Sequence, residues 1–473
     1  MTSDQFTRHG HALVDWIADY LEHSERYPVL ARVKPGDVRT ALPPTAPDAP
    51  QPFEDVFADF ERVLLPALTH WNHPGFFAYF AVSSSPAAIL AEFLAAALNQ
   101  QAMLWRTSPA ATELEEVSLA WLRQLLGLPE VFEGVIYDTA SISTLHGLAA
   151  AREIAVDGVR QHGLAGRSEV ARLAVYCSEQ AHSSVDKAVI LLGLGHDALR
   201  RIPADDQFAM RVDVLRDTLD RDIASGVVPV AVVATIGTTS TTSSDPVKAI
   251  AALCAERGVW LHVDAAYAGV AAMLPDRRAP FDGWERADSI VLNPHKWLFV
   301  PVDLSAFYCR RMDVVRHAFS LVPDYLHTPD EERGARNLMD TGVQLGRRFR
   351  ALKLWMVLRD FGAEGIRAVL DRHIELAQRF ASWVDADADF ERVAPVPFSV
   401  VCFRARPAGT AESELDALNE HLLEQVNASG EVFLSHTRLG GKFVLRLAVG
   451  HLRTTDVHVG RAWDLLHQAL EPR

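Results

Sequence analysis

Four short stretches place reactive groups just beyond apolar runs. Asn293-Pro294-His295-Lys296-Trp297 follows Ser289–Leu292, Asp264 closes the run Trp260–Val263, Thr238 and Thr239 follow Val228–Thr235, and Glu179, Gln180, His182 and Ser183 follow Leu173–Cys177. Lysine is costly to take out of water, and a lysine whose pKa is lowered by desolvation is an amine nucleophile able to form a Schiff base. Alone, Lys296 reads more readily as a surface lysine after a strand than as a nucleophile. A second chemical signal is Gly134-Val135-Ile136-Tyr137-Asp138-Thr139-Ala140-Ser141-Ile142-Ser143-Thr144, a strand running into hydroxylated residues and a long alanine-rich helix. The N–H groups of a helix start, helped by Ser and Thr hydroxyls, suit a phosphate, although the same pattern also caps ordinary helices.

These groups must be held by the elements that precede them. Between residues 172 and 309, near-continuous apolar runs alternate with helical segments, the last run being Leu304–Tyr308. That pattern predicts an α/β fold with a mostly parallel sheet covered by helices on both faces. Ligands of such sheets bind beyond the carboxyl ends of the strands, so four strand ends converge on one site. Upstream, the spacing predicts an amphipathic helix over residues 4–24, with Phe6, Leu13, Val14, Ile17 and Leu21 on one stripe. A proline-rich extended arm (33–52) and a second helix near 53–68 follow. We delimit a helical and extended N-terminal arm (1–85) without a core of its own, a large α/β domain (86–365) and a small C-terminal α+β domain (366–473). A helix from Gly346 to Phe361 opens with Arg347-Arg348-Phe349-Arg350.

Composition removes whole classes of function. The 473 residues are 49% hydrophobic, enough for a large core, and a formal charge of −15 disfavours nucleic acid or anionic lipid as the main partner. Cys177, Cys254, Cys309 and Cys402 are widely spaced, which suits buried free thiols in a reducing cytoplasm. No apolar run approaches the ~20 residues that span a bilayer, and the first turns carry charge throughout, so a cytoplasmic protein is expected. His70 and His73 lack companion ligands nearby, and each reads as a hydrogen-bonded histidine; no metal is expected. The aromatic stretch from His70 to Phe80 is either a loop pinned by packed rings or the wall of a pocket for an aromatic ligand. There is no GxSxG elbow or Walker lysine loop, and Gly193-Leu194-Gly195 lacks the third glycine of a dinucleotide fingerprint.

A strand-end lysine, a strand-end aspartate, a histidine and a hydroxyl-rich helix start together meet the requirements of pyridoxal phosphate. The lysine binds the aldehyde, the carboxylate keeps the pyridine nitrogen protonated, and the histidine stacks on the ring. The chain resembles the group II pyridoxal-phosphate decarboxylases, most closely the aromatic L-amino-acid decarboxylases. Six stretches carry the resemblance in order: His70-Trp71 with Phe76–Phe80; Ser108-Pro109-Ala110 with Thr112–Glu115; Gln180–Ser184; His262–Gly269; Asn293–Trp297; and Leu345–Arg350.

The resemblance implies a fold-type I homodimer with its active site at the subunit interface, a mostly parallel seven-stranded sheet, and N-terminal segments that embrace the other subunit. It implies that Lys296 carries the cofactor as an internal aldimine, Asp264 pairs with the pyridine nitrogen and His182 stacks on the ring. Thr139, Ala140, Ser141, Ser183, Asn293 and His295 would surround the phosphate, and Thr239 and Ala266 would contact the ring. Trp71, Tyr79, Phe80 and Val82 would line the substrate pocket, with Gln101 and Met103 coming from the other subunit. The implied reaction is decarboxylation of an aromatic L-amino acid to its amine and carbon dioxide.

Two positions depart from the family pattern. Counting back from Leu345-Gly346-Arg347, the tyrosine credited with protonating the carbanion is replaced by Leu338, and leucine has no proton to donate. Related aldehyde synthases replace that tyrosine with phenylalanine and release aldehyde, ammonia and hydrogen peroxide with carbon dioxide. That outcome is the alternative here; plain decarboxylation stays the first expectation, with Tyr325 or an ordered water as the substitute proton donor. Asp138 stands where many relatives have glycine, and near a phosphate its carboxylate is expected to point away.

Overall fold

The computed structural model describes residues 1–321, 330 and 333–471. The chain forms two compact units: Met1–Ala81 with Leu376–Val393 and Val401–Arg473, and Val82–Glu375 with Ala394–Val400. In chain order the strands are β1 (Phe76–Phe77), β2 (Glu133–Tyr137), β3 (Leu173–Ser178), β4 (Leu199–Ile202), β5 (Val228–Thr235) and β6 (Trp260–Asp264). They continue with β7 (Ser289–Leu292), β8 (Ser305–Cys309), β9 (Phe390–Arg392), β10 (Val400–Ala405), β11 (Phe433–Leu439) and β12 (Lys442–Ala448).

The larger unit is built on a seven-stranded sheet in the order β2-β8-β7-β6-β5-β3-β4. Its inner pairs are parallel, and β8 runs antiparallel to both β7 and β2, so the sheet is mostly parallel as expected. Strands β6, β7 and β8 are buried at every position, which is why they read as continuous apolar runs instead of alternating ones. The helix Ala140–Ala155 covers one face with Leu148, Ala149, Ala150 and Ala151, packed with Val135, Val175, Val233 and Phe307 in one core. Small residues there let helix and sheet backbones approach closely. Register keeps the carboxyl ends level: Thr235 lies beside Asp264, and Asp264 beside Val291. After β5 the chain must turn at Gly237, whose φ is +82° and where a Cβ would come within 2.5 Å of the Ala268 Cβ. Only glycine fits that turn without strain.

The smaller unit holds a five-stranded sheet, β1-β11-β12-β10-β9. Here β1 joins β11 in parallel, pairing Phe76 with Phe433 and Phe77 with Leu434. The first helix, Ser3–Glu22, starts at a capping box in which Thr2 Oγ1 accepts from Gln5 N–H at 3.2 Å and Gln5 Oε1 from Thr2 N–H at 2.8 Å. None of its residues is fully buried, although Trp16 meets Phe57 and Phe60 edge-on at 5.9 and 5.6 Å.

Some expectations needed adjustment. Strands β4 and β11 escaped the sequence pattern because Leu199-Arg200-Arg201-Ile202 and Phe433-Leu434-Ser435-His436-Thr437-Arg438-Leu439 are rich in polar side chains. The helix expected from Gly346 begins at Ala351 and carries a break at Gly362 (φ 61°) before running on to Ala386. Residues 346–350 precede it as an irregular strap. All four cysteines are buried free thiols, and burial raises Cys177, Cys254 and Cys309 to about 12 and Cys402 to about 11. Among the described residues no helix is long and apolar enough to cross a membrane.

Candidate active site

The level ends of β5, β6 and β7 set the spacing of the site. Asp264 is the last residue of β6 and is 5% exposed; its Oδ1 accepts from Ala266 N–H at 3.0 Å, which fixes the carboxylate at the strand end. The chain after β7 is tied to the loop after β6, since Asn293 N–H donates to Ala266 O at 3.0 Å. It then makes one short helical turn, Pro294–Trp297, that delivers His295 and Lys296. Pro294 suits the first position of that turn because its missing N–H has no partner to lose there. Lys296 N–H donates to Asn293 O at 2.9 Å, and its side chain is partly buried.

His182 follows β3 on an exposed loop, and Ser184 positions it. The Ser184 N–H donates to Nδ1 at 3.1 Å, and the Ser184 hydroxyl lies 3.0 Å from the same atom. Nδ1 is thus the acceptor, and the proton of the neutral ring sits on Nε2. Surrounding protein lowers the His182 pKa by desolvation; the Asp264 charge opposes this and the Lys296 charge reinforces it. Asp264 and Lys296, at or just after the ends of two other strands, therefore both act electrostatically on His182.

His295 is treated similarly. Its Nδ1 accepts from Leu304 N–H at 2.9 Å, leaving an Nε2–H to donate, and burial lowers its pKa to about 4. The charge of Lys296 pushes in the same direction. The Leu304 loop is braced by Arg350, bidentate to Asp303 at 2.9 and 3.2 Å, and by Lys353, which donates to Pro301 O and Asp303 O. Arg347 pairs with buried Glu115 at 2.6 Å and donates to Ile136 O at 3.1 Å, securing the end of β2. The basic stretch 347–350 is thus a clamp on the loops that build the site.

At the start of the helix Ala140–Ala155, Thr139 stands at the N-cap without a side-chain capping bond. Asp138 Oδ1 accepts from Thr139 N–H at 2.6 Å and from its hydroxyl at 3.2 Å. The carboxylate thus turns back onto Thr139, away from the amides of Ala140 and Ser141. Asn293 Oδ1 is buried with no hydrogen-bond partner among the described residues. First-turn amides and the His295 Nε2–H are donors that a bound phosphate requires, and an aspartate, a lysine and an open-faced histidine are what its pyridine ring requires. The residues present fit pyridoxal phosphate. Ser183 and Thr239 are exposed and Ala266 is partly buried.

The remaining predicted residues fall in two groups. Trp71, Tyr79 and Phe80 belong to the smaller unit, where Trp71 stacks on Phe76 at 4.3 Å and on Tyr79 at 6.0 Å, and Arg446 lies 4.6 Å over Phe80. Ring contacts thus help to pin the aromatic stretch. His70 and His73 are hydrogen-bonded as expected, to the Tyr20 hydroxyl at 2.9 Å and the Gly75 N–H at 2.9 Å. Val82, Gln101 and Met103 belong to the larger unit. Gln101 Oε1 accepts from Arg347 N–H at 2.6 Å, and Met103 O accepts from Met339 N–H at 3.2 Å. Leu338, 1% exposed, opens a short helical turn, Leu338–Thr341, on this strap. Tyr137 donates its hydroxyl to Thr341 O, and Val343 N–H donates to His146 Nε2 at 3.2 Å. Tyr325 lies outside the described residues. Ser184, Leu304 and Asp303 were not foreseen as parts of the site: their contribution is made through backbone groups or a distant arginine, which spacing does not reveal.

With that geometry in place, the chain's relatives are informative. Residues 35–406 match the pyridoxal-dependent decarboxylase conserved domain, and the chain belongs to that family. Its cofactor is pyridoxal phosphate and its architecture is that of the fold-type I enzymes. It is 40% identical to a phenylacetaldehyde synthase of Arabidopsis thaliana, over 99% of this chain and 96% of the relative. It is 41% identical to an aromatic-L-amino-acid decarboxylase of Sus scrofa, over 98% and 96%. The crystal structure of Oryza sativa TDC with pyridoxal phosphate and tryptamine superposes with a TM-score of 0.95 at 38% identity, covering 99% of this chain and 98% of that one.

Proposed function

We propose that the protein decarboxylates an aromatic L-amino acid to the corresponding amine. The observation that carries the reading is that Lys296 and Asp264, at or just after the ends of different strands of one sheet, both act electrostatically on His182 after a third. Bound pyridoxal phosphate supplies an electron sink for the bond pair left when a carboxylate departs as carbon dioxide. Lys296 would provide the amine that holds the cofactor, Asp264 would keep the pyridine nitrogen protonated, and His182 would cover the ring. Thr139, Ala140, Ser141, Ser183, Asn293 and His295 hold the phosphate, with Thr239 and Ala266 beside the ring.

Trp71, Tyr79, Phe80 and Val82 form the apolar wall for an aromatic side chain, joined by Gln101 and Met103 of a second copy. Homodimerisation is part of this reading. It is supported by the unburied helix Ser3–Glu22 and by Leu90, Phe93, Leu94 and Leu98, all exposed on the helix Pro86–Leu98. The division into an arm (1–85), a large domain (86–365) and a small domain (366–473) belongs to the same proposal.

A second reading, oxidative release of an aromatic aldehyde with ammonia and peroxide, is favoured by one observation: Leu338 offers no proton where the family places a tyrosine. Incubation with L-tryptophan, L-tyrosine, L-phenylalanine and L-DOPA, measuring carbon dioxide, amine, aldehyde and peroxide together, separates the two. Amine equal to carbon dioxide is expected; stoichiometric peroxide would establish the second reading instead. Lys296→Ala is expected to abolish the cofactor's protein-bound absorbance band, and an unchanged spectrum would remove the lysine assignment.

A further inference from the structure

Trp260, His262 and Asp264 lie on one face of β6, because side chains alternate along a strand. Ser289 of β7 is the register partner of His262. Its Oγ is 2.9 Å from Trp260 Nε1 and 2.8 Å from His262 Nδ1. Both His262 and Ser289 are fully buried, so each proton in this group needs an assigned place.

An indole N–H can only donate, so Trp260 occupies a lone pair of Ser289 Oγ. The hydroxyl then has one proton to give, and His262 Nδ1 is the acceptor that faces it. The reverse arrangement, with Nδ1–H donating, strands the buried hydroxyl proton. Gly147, from the helix above, closes this side: a Cβ there would stand 3.0 Å from Nδ1 and 3.1 Å from Ser289 Oγ. The neutral ring therefore carries its proton on Nε2. Burial lowers the His262 pKa to about 4, so the ring stays neutral at physiological pH, and Asp264 is the charge that acts on it. Nε2 itself is buried and makes no hydrogen bond among the described residues. A buried donor left over is costly unless a negative charge makes use of it.

We propose that His262 is a positioning residue for Asp264: the Nε2–H that Ser289 enforces is a donor on the strand face that Asp264 shares, and it helps to hold that carboxylate in place as the counter-ion of the cofactor's ring nitrogen. This rests on the role proposed above for Asp264. His262 does not itself touch the cofactor in this scheme; its effect passes through Asp264, and Trp260 and Ser289 serve to lock the tautomer.

A double-mutant cycle tests this, with cofactor dissociation constants taken from absorbance after dilution of the holoenzyme. His262→Phe is expected to weaken binding about tenfold, Asp264→Asn to weaken it further, and His262→Phe to add nothing in the Asp264→Asn background. His262→Gln, which keeps an N–H donor, is expected to recover most of the affinity. Equal effects of His262→Phe in both backgrounds would show a merely structural role and overturn the proposal while leaving Asp264 in place. Unchanged affinity in Asp264→Asn alone would instead overturn the Asp264 assignment, and this proposal with it. If His262→Phe does not fold, Ser289→Ala replaces it in the cycle, read by the same outcomes.

Discussion

The backbone N–H of Leu304 donates to Nδ1 of His295 at 2.9 Å, and this one bond decides which ring nitrogen the site can use. With Nδ1 engaged, the remaining nitrogen presents a hydrogen, which suits an anion and not a cation. The loop that supplies Leu304 is held by the Arg350 fork on Asp303, so a residue 46 positions beyond Leu304 sets the protonation pattern of the site (350 − 304).

Arg350→Lys should therefore act at a distance. Lysine keeps the charge but loses the two-pronged geometry. Cofactor affinity is expected to fall about three- to tenfold with little change in Tm. Equilibrium release of cofactor, followed by absorbance, checks this; unchanged affinity would show that Lys353 alone suffices to hold the loop.

The Arg347–Glu115 pair is buried on both sides, with side chains 7% and 3% exposed. Breaking one partner leaves a buried charge, so Arg347→Met should cost about 3–5 kcal/mol. Arg347→Met with Glu115→Met removes both charges, although Ile136 N–H then loses its Glu115 acceptor. The double variant should recover part of the loss. Urea midpoints of the single and double variants decide the point.

Burial lowers the pKa of His295, His262 and His73 to about 4 and of His146 to about 3. The unfolded chain binds protons at these sites from about pH 6.5 downward, while the folded chain does not until about pH 4. Stability is thus fully present above about pH 6.5 and falls as pH drops from there toward 4. Each shifted unit corresponds to about 1.4 kcal/mol, so the four together give a loss of several kcal/mol. Denaturant midpoints at pH 7.5, 6 and 5 should show the slope, and His146→Phe should flatten it.

Leu90 and Leu94 lie one helical turn apart and are 54% and 46% exposed. If the proposed homodimer uses this face, Leu90→Glu with Leu94→Glu should shift the chain from dimer to monomer in sedimentation velocity and sharply reduce turnover. A dimer that survives both substitutions would move the interface elsewhere.

Much of this was legible in the sequence because burial on both faces makes strands such as Val228–Thr235 and Ser289–Leu292 read as unbroken apolar runs. Lys296, Asp264 and His182 were singled out for a related reason: each stands at or shortly after the end of a buried strand, where folding alone gives no cause for such residues. What escaped detection depended on backbone donors and long-range clamps. Ser184 and Leu304 act largely through backbone N–H groups, which every residue type but proline possesses. Arg350 looked like the start of a helix because its partner, Asp303, is 47 residues away (350 − 303). Strand β11 was missed because a mixed polar sequence pairs well enough when β1 and β12 flank it.

The four enclosed cysteines give the molecule a built-in clock. A thiol-reactive dye cannot reach any of them in the folded chain, and with thiol pKa values of about 11 to 12 little thiolate is present to react. Three of the thiols lie in the larger unit and Cys402 in the smaller, so labelling each position reports how often its own unit opens. The order in which the sites are modified over time would rank the two units by kinetic stability without any added probe.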